Sequence, residues 1–291
     1  MRHLYECQLR WADMDMLGHV NNVTYVDYLQ EARIDMLLTH APDPAVGELA
    51  EGVVVVRHQV RYLAPLTFRL TPVHVEVWIT EVRAGSFTMA YELFDHLPDG
   101  GRRVYLQATS LLTPYVFATE QPRRLRPEER EVLGRFLEPA PARGPLQVDP
   151  AGFDDPAGRL PLQVRFSDVD VYGHVNNVEY FTYFQEARVA YMAALAEEAG
   201  TSAAPGSVVL AQCDVDYRVP VLFRPEPYDV RSRVAHVGRT SFVIENDLRD
   251  GDRSLATARV VLVGFDATTQ RAAPLVEDYR SLLSSKVLTM N

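Results

Sequence analysis

The chain has 291 residues, 47% of them hydrophobic and 23% charged, with 39 acidic side chains against 29 basic and a formal net charge of −10. At about 150 residues per domain the length suggests two domains, and the composition excludes wholesale disorder and a collagen-like or coiled-coil rod. No run approaches about 18 consecutive apolar residues, so no membrane partner is expected, and the acidic balance argues against a nucleic-acid partner.

The opening stretch Met1–Glu6 has no apolar core of signal-peptide length, so a cytoplasmic chain is expected. The first expected element is a strand from Leu4 to Trp11. A loop then leads into a helix from Val23 to about Leu38. Its Tyr25, Val26, Tyr28, Leu29, Ala32 and Met36 cover most of the circumference, which marks a buried helix. The segments that follow are β-branched or alternate, as in Val53–Val56 and Val73–Ile79, and Asp99-Gly100-Gly101 marks a hairpin turn. A short helix opens at Pro127-Glu128-Glu129 and runs to about Leu137, with proline and acids in its first turn. Residues 138–159 are rich in Pro, Ala, Gly and Arg and suit an extended linker. The same order then returns: a strand from Leu160 to Phe166, a helix from Val178 to about Glu197, a hairpin turn at Asp250-Gly251 and a last helix from Val276 to Ser285.

The recurrence is a true internal repeat. Residues 10–33, RWADMDMLGHVNNVTYVDYLQEAR, align with 165–188, RFSDVDVYGHVNNVEYFTYFQEAR. The offset holds further on, where Val60, Tyr62 and Pro65 meet Val215, Tyr217 and Pro220. The domains are therefore 1–137 and 160–291, joined by the linker. The fold class is α+β: a long central helix wrapped by an antiparallel sheet, twice.

Between strand and helix each copy places two aspartates at spacing two, then Gly-His-Val-Asn-Asn. An asparagine caps the helix, and Asn176 with Glu179 three residues on reads as a capping box. One aspartate of each pair is expected to brace the loop through backbone N–H groups. Gly18 and Gly173 supply a turn that side chains would obstruct. Free N–H groups at the helix start can hold a developing oxyanion. A calcium loop fails at Tyr172 and Thr24, and zinc lacks a third ligand. There is no Gly-x-Ser-x-Gly elbow and no dinucleotide or P-loop glycine pattern. Cys7 and Cys213 are too few for a disulfide scaffold or a zinc ribbon. Glu31-Ala32-Arg33 and Glu186-Ala187-Arg188 read as structural charge pairs on the helices.

With these residues in hand, the repeat resembles the hotdog-fold thioesterases of the 4-hydroxybenzoyl-CoA thioesterase-like group. The motif Asp-x-Asp-x-x-x-His-Val-Asn-Asn-x-x-Tyr also resembles that of plant acyl-carrier-protein thioesterases. The resemblance implies two tandem hotdog domains forming an intrachain pseudo-dimer. It implies that Asp15 and Asp170 are the catalytic carboxylates, as nucleophile or general base, and that His19 and His174 contribute. It further implies that Asn22 and Asn177 offer a backbone N–H to the thioester carbonyl. Gly18 and Gly173 belong to the same loop, and Tyr62 and Tyr217 are expected to line the sites. The plant enzymes carry asparagine two residues after the aspartate, where this chain has Leu17 and Tyr172.

The expected function is hydrolysis of acyl-CoA to free acid and CoA, within fatty-acid metabolism, with no metal or organic cofactor. The alternatives are a non-catalytic acyl-CoA-binding protein and an acyl-ACP thioesterase. Sheet-edge pairing would allow a homo-oligomer.

Overall fold

The repeat in sequence becomes a repeat of chain path. The computed structural model describes residues 1–40, 49, 52–140, 148–149, 152–198, 208–266, 268–269 and 271–287. The chain divides into two compact units, Met1–Gly144 and Pro145–Asn291.

In the first unit β1 (His3–Cys7) is followed by a 3₁₀ turn (Trp11–Asp13) and the long helix α1 (Asn22–His40). Then come β2 (Val53–Tyr62), β3 (Val73–Val82), β4 (Phe87–His96), β5 (Arg102–Val116), the short β6 (Gln121–Pro122) and α2 (Pro127–Arg135). The sheet order is β1-β3-β4-β5-β2, with every pairing antiparallel. Along β3, Val73, Val75, Val77 and Ile79 are fully buried, the period-two pattern of a strand with one face on the core. Opposite them α1 buries Tyr25, Val26, Tyr28, Leu29, Ala32, Met36 and Leu37. One helix thus fills the concave face of one sheet.

The second unit repeats this with a 3₁₀ turn (Pro156–Gly158), β7 (Arg159–Leu162), a second 3₁₀ turn (Phe166–Asp168) and α3 (Glu179–Glu198). There follow β8 (Val208–Tyr217), β9 (Tyr228–Val237), β10 (Ser241–Asp250), β11 (Arg253–Asp266), the short β12 (Arg271–Ala272) and α4 (Glu277–Ser285). Its order is β7-β9-β10-β11-β8, again antiparallel. These are two tandem hotdog domains. Among the described residues no helix is long and apolar enough to cross a membrane.

Four local expectations change. The first strands stop at Cys7 and Leu162, and the chain turns before Trp11 and Phe166 rather than continuing to them. The capping box at Asn176 does not form, because the Asn176 N–H donates to the Asp168 carbonyl (2.9 Å). Glu31 and Arg33 do not face each other: Arg33 is buried and Glu31 exposed, as residues two apart on a helix must diverge. The same holds for Glu186 and Arg188. Finally, part of the expected linker is structured. Phe153 is buried beneath Arg233, and Asp155 accepts from the Tyr191 hydroxyl (3.1 Å). Residues 141–147 and 150–151 of that linker lie outside the described residues.

Candidate active site

The loop between the 3₁₀ turn and α1 is a miniature hairpin. Met14 and Val20 form an antiparallel bridge, and Asp15 N–H donates to the His19 carbonyl (2.8 Å). Gly18 N–H closes the turn on the Asp15 carbonyl (3.1 Å) with φ +76°. This is a three-residue loop whose last residue is left-handed, the place where glycine carries no Cβ penalty. Asp170, Gly173 (φ +82°) and His174 repeat it with the same bond lengths of 2.8 and 3.1 Å.

The two aspartates of each pair do different work. The Asp13 carboxylate accepts from Arg10 N–H (2.6 Å) and from the Tyr28 hydroxyl, and its carbonyl accepts from Asn21 N–H (2.8 Å). Asp168 does the same with Arg165 N–H (2.8 Å), the Tyr183 hydroxyl (2.7 Å) and Asn176 N–H. Burial, and then the carboxylate each one meets, push the Tyr28 and Tyr183 phenols well above their ordinary range. Both therefore remain donors. Asp13 and Asp168 are the loop braces, and their pull ends the preceding strands.

Asp15 and Asp170 are held by one oxygen only. Asp15 Oδ1 accepts from Leu17 N–H (2.8 Å) and His19 N–H (3.3 Å). Asp170 Oδ1 accepts from Tyr172 N–H (2.9 Å) and His174 N–H (3.3 Å). Among the described residues neither Oδ2 has a hydrogen-bond partner. Both aspartates are half-exposed. Each lies close enough to the first helical turn that its charge helps raise the phenol there, Tyr25 or Tyr180, behind the larger effect of burial.

The helix start completes the arrangement. The first N–H groups of a helix have no intrahelical acceptor. Asn21 Oδ1 takes that of Val23 (2.9 Å), and in the turn just before α3 Asn176 Oδ1 accepts from the Val178 N–H (3.0 Å). The Asn22 N–H stays without a partner among the described residues. The Tyr62 and Tyr217 hydroxyls donate to the carbonyls of Asn22 and Asn177, both at 2.9 Å. His19 and His174 are paired with the aspartates through backbone, one across each hairpin. Sequence reasoning took Tyr25, Tyr28 and their counterparts as core aromatics only. The signal was the Asp13-to-Tyr28 spacing, kept from Asp168 to Tyr183. Nothing in the sequence marked the Leu66 N–H, which the Tyr25 hydroxyl accepts (3.0 Å), or the equivalent Val221 N–H on Tyr180 (3.1 Å).

Among the described residues no group of three or more His, Cys, Asp or Glu side chains could hold a metal ion. Near the helix start the copies differ in charge at two positions, Thr24 against Glu179 and Asp27 against Thr182. Glu179 stands where the first copy has Thr24, and burial followed by the nearby Asp168 pushes its carboxyl up.

Comparison with known proteins bears on this loop and on the whole chain. The pattern of the thioesterase-like superfamily matches residues 9–136 and 164–283, once per unit. The chain belongs to that superfamily. Both aspartate hairpins fall inside the matched segments. Membership gives thioester hydrolysis as the general class of chemistry. Over most of its length, the fold of this thioesterase-like chain is similar to a putative oleoyl thioesterase from Lactobacillus plantarum, at 16% identity and a TM-score of 0.71, covering 91% of this chain and 97% of that one. It is likewise similar to a 12:0-ACP thioesterase from Umbellularia californica, at 18% identity and a TM-score of 0.67, covering 90% and 93%. Among curated proteins, the uncharacterized protein YsmA of Bacillus subtilis is 40% identical over 53 residues, 18% of this chain. That match spans 36% of the relative's own length.

Proposed function

We propose that this chain hydrolyses acyl-CoA to the free acid and CoA, with Asp15 and Asp170 as the reacting carboxylates. The observation that carries the reading is the division of labour within each aspartate pair. One carboxylate is tied down by a backbone N–H and a tyrosine hydroxyl, while its neighbour is oriented through Oδ1 and keeps Oδ2 unpaired beside a helix start. A carboxylate held this way is preorganised and still reactive.

The chemistry follows from that oxygen. As general base, Oδ2 takes a proton from water as the water oxygen bonds to the thioester carbon. As nucleophile, Oδ2 bonds to the carbon itself, and water then cleaves the resulting anhydride. In both routes the C–S bond breaks, the thiolate leaves and takes up a proton, and negative charge grows on the carbonyl oxygen. The Asn22 N–H, and by the repeat that of Asn177, would meet this charge. One such donor is worth about 3–4 kcal/mol at the transition state. His19 and His174 are assigned to the same loop as groups that contact the substrate, and Gly18 and Gly173 to the turn that shapes it.

CoA is favoured over an acidic carrier protein by charge. The chain is acidic overall, and its arginine-rich stretch 123–135 is partly neutralised within the unit. Arg123 forms a bidentate pair with the buried Glu129 (2.7 and 2.9 Å), and Arg135 pairs with Glu131 (3.1 Å). Acyl-ACP is the second reading, because Arg124 and Arg130 stay exposed there. The test is thiol release from acyl-CoAs of short, medium and long chain and an aromatic acyl-CoA, beside the acyl-ACP of the best acyl group. The proposal expects faster release from the CoA ester. Faster release from the carrier ester would replace CoA by ACP. Binding of every acyl-CoA with no thiol release would replace hydrolysis by an acyl-CoA-binding role.

A further inference from the structure

Tyr62 and Tyr217 were expected to line the sites, but their hydroxyls are already engaged. A phenol has one hydrogen to donate, and each gives it to a backbone carbonyl at 2.9 Å. The acceptors are Asn22 and Asn177, the residues whose N–H groups the proposed function gives to the developing oxyanion. We propose that Tyr62 and Tyr217 are positioning residues. They hold the first turn of α1 and the turn leading into α3 in place for the donor N–H, acting through these carbonyls and not on the substrate. This rests on the hydrolase reading above and assigns it two further residues.

The first turn of a helix is the part that frays, since its leading groups lack intrahelical partners. In each unit the peptide after the donor residue is gripped at both ends. In the first, Tyr62 holds the Asn22 carbonyl and Asn21 Oδ1 holds the Val23 N–H. In the second, Tyr217 holds the Asn177 carbonyl and Asn176 Oδ1 the Val178 N–H. The tyrosines themselves stand on rigid supports. Tyr62 ends β2, and the Leu63 and Ala64 N–H groups right after it both donate to the Tyr105 carbonyl (2.8 and 3.3 Å). Tyr217 ends β8, and Arg218 and Val219 both donate to the Leu255 carbonyl (2.9 and 3.0 Å). Each ring also meets a helix tyrosine edge-on, Tyr25 at 5.5 Å and Tyr180 at 4.9 Å between centroids. The end of a sheet strand is thereby linked to the donor end of the helix, in both copies.

The test compares wild type with Tyr62→Phe, Tyr217→Phe and the double variant, which keep the ring and remove the donor. Steady-state thioester hydrolysis, thermal melting and amide hydrogen exchange over residues 22–25 and 177–180 are measured on the full chain. The expected result for the double variant is a kcat lower by about tenfold, an unchanged KM, a melting temperature within about 2 °C of wild type, and faster amide exchange at both helix starts. Wild-type kcat would overturn the proposal. So would a raised KM at constant kcat, which marks direct substrate binding, or a rate loss that simply follows a fall in melting temperature. The hydrolase reading fails separately. A wild-type chain inert toward every thioester, whose Tyr→Phe variants still exchange faster at these amides, would remove the reaction and leave the holding of the helix start intact.

Discussion

Asp13 and Asp15 are two residues apart and chemically identical, yet their surroundings give them opposite tasks. Asp13 is buried among an N–H and a phenol and serves the fold, while Asp15 keeps one oxygen unpaired at a half-exposed loop. The same residue-scale logic makes a prediction about pH. His58 is fully buried with its Nδ1 2.8 Å from the Ser110 hydroxyl, and burial, then the charge of Arg33, lower it to about 3. The folded chain holds this imidazole neutral, whereas the unfolded chain protonates it near 6.5. The unfolded state therefore binds more protons between those values, and stability contributed at this site falls as pH drops from about 6.5 toward 3. Urea midpoints taken across that range should fall less steeply in His58→Gln than in wild type; equal slopes would contradict the assignment. In the repeat the matching position is Cys213, also buried, whose thiol burial pushes up to about 12.

At the scale of elements, the repeat, the two buried helices, the strand run and the hairpin turns were legible because they rest on side-chain pattern. Where strands end was not, because that depends on partners distant in sequence. Tyr28 and Tyr183, reaching back from the helices, add a distant partner to Asp13 and Asp168 in 3₁₀ turns that the Arg10 and Arg165 N–H groups close locally. The linker misled for a related reason. Its Pro/Ala/Gly composition reads as extended chain, but Gly158 packs directly on β9. A Cβ there would lie 2.1 Å from the Ser232 backbone carbonyl oxygen, which cannot move without breaking the sheet. Gly158→Ala is predicted to destabilise the chain by about 1–3 kcal/mol, read as a lower thermal midpoint. An unchanged midpoint would mean that this segment does not pack on β9 as described.

At the scale of the whole molecule, one sequence motif has been written twice and its geometry has been kept twice, down to matching hydrogen-bond lengths in the two hairpins. That much of the candidate site was readable from the residues and the family resemblance. The hold on Asp15 and Asp170 through one oxygen, and the tyrosine grip on the helix starts, depended on side-chain directions that a sequence does not carry. The two sites are alike but not identical, since Glu179 and Tyr172 replace Thr24 and Leu17. Unequal rates at the two carboxylates are therefore expected. The most direct measurement is thiol release from the best acyl-CoA by wild type, Asp15→Asn, Asp170→Asn and the double variant, each checked for an unchanged melting temperature. Two carboxylate-dependent sites predict partial activity in each single variant and none in the double. A double variant that still hydrolyses at the wild-type rate would contradict the central role given to these two aspartates.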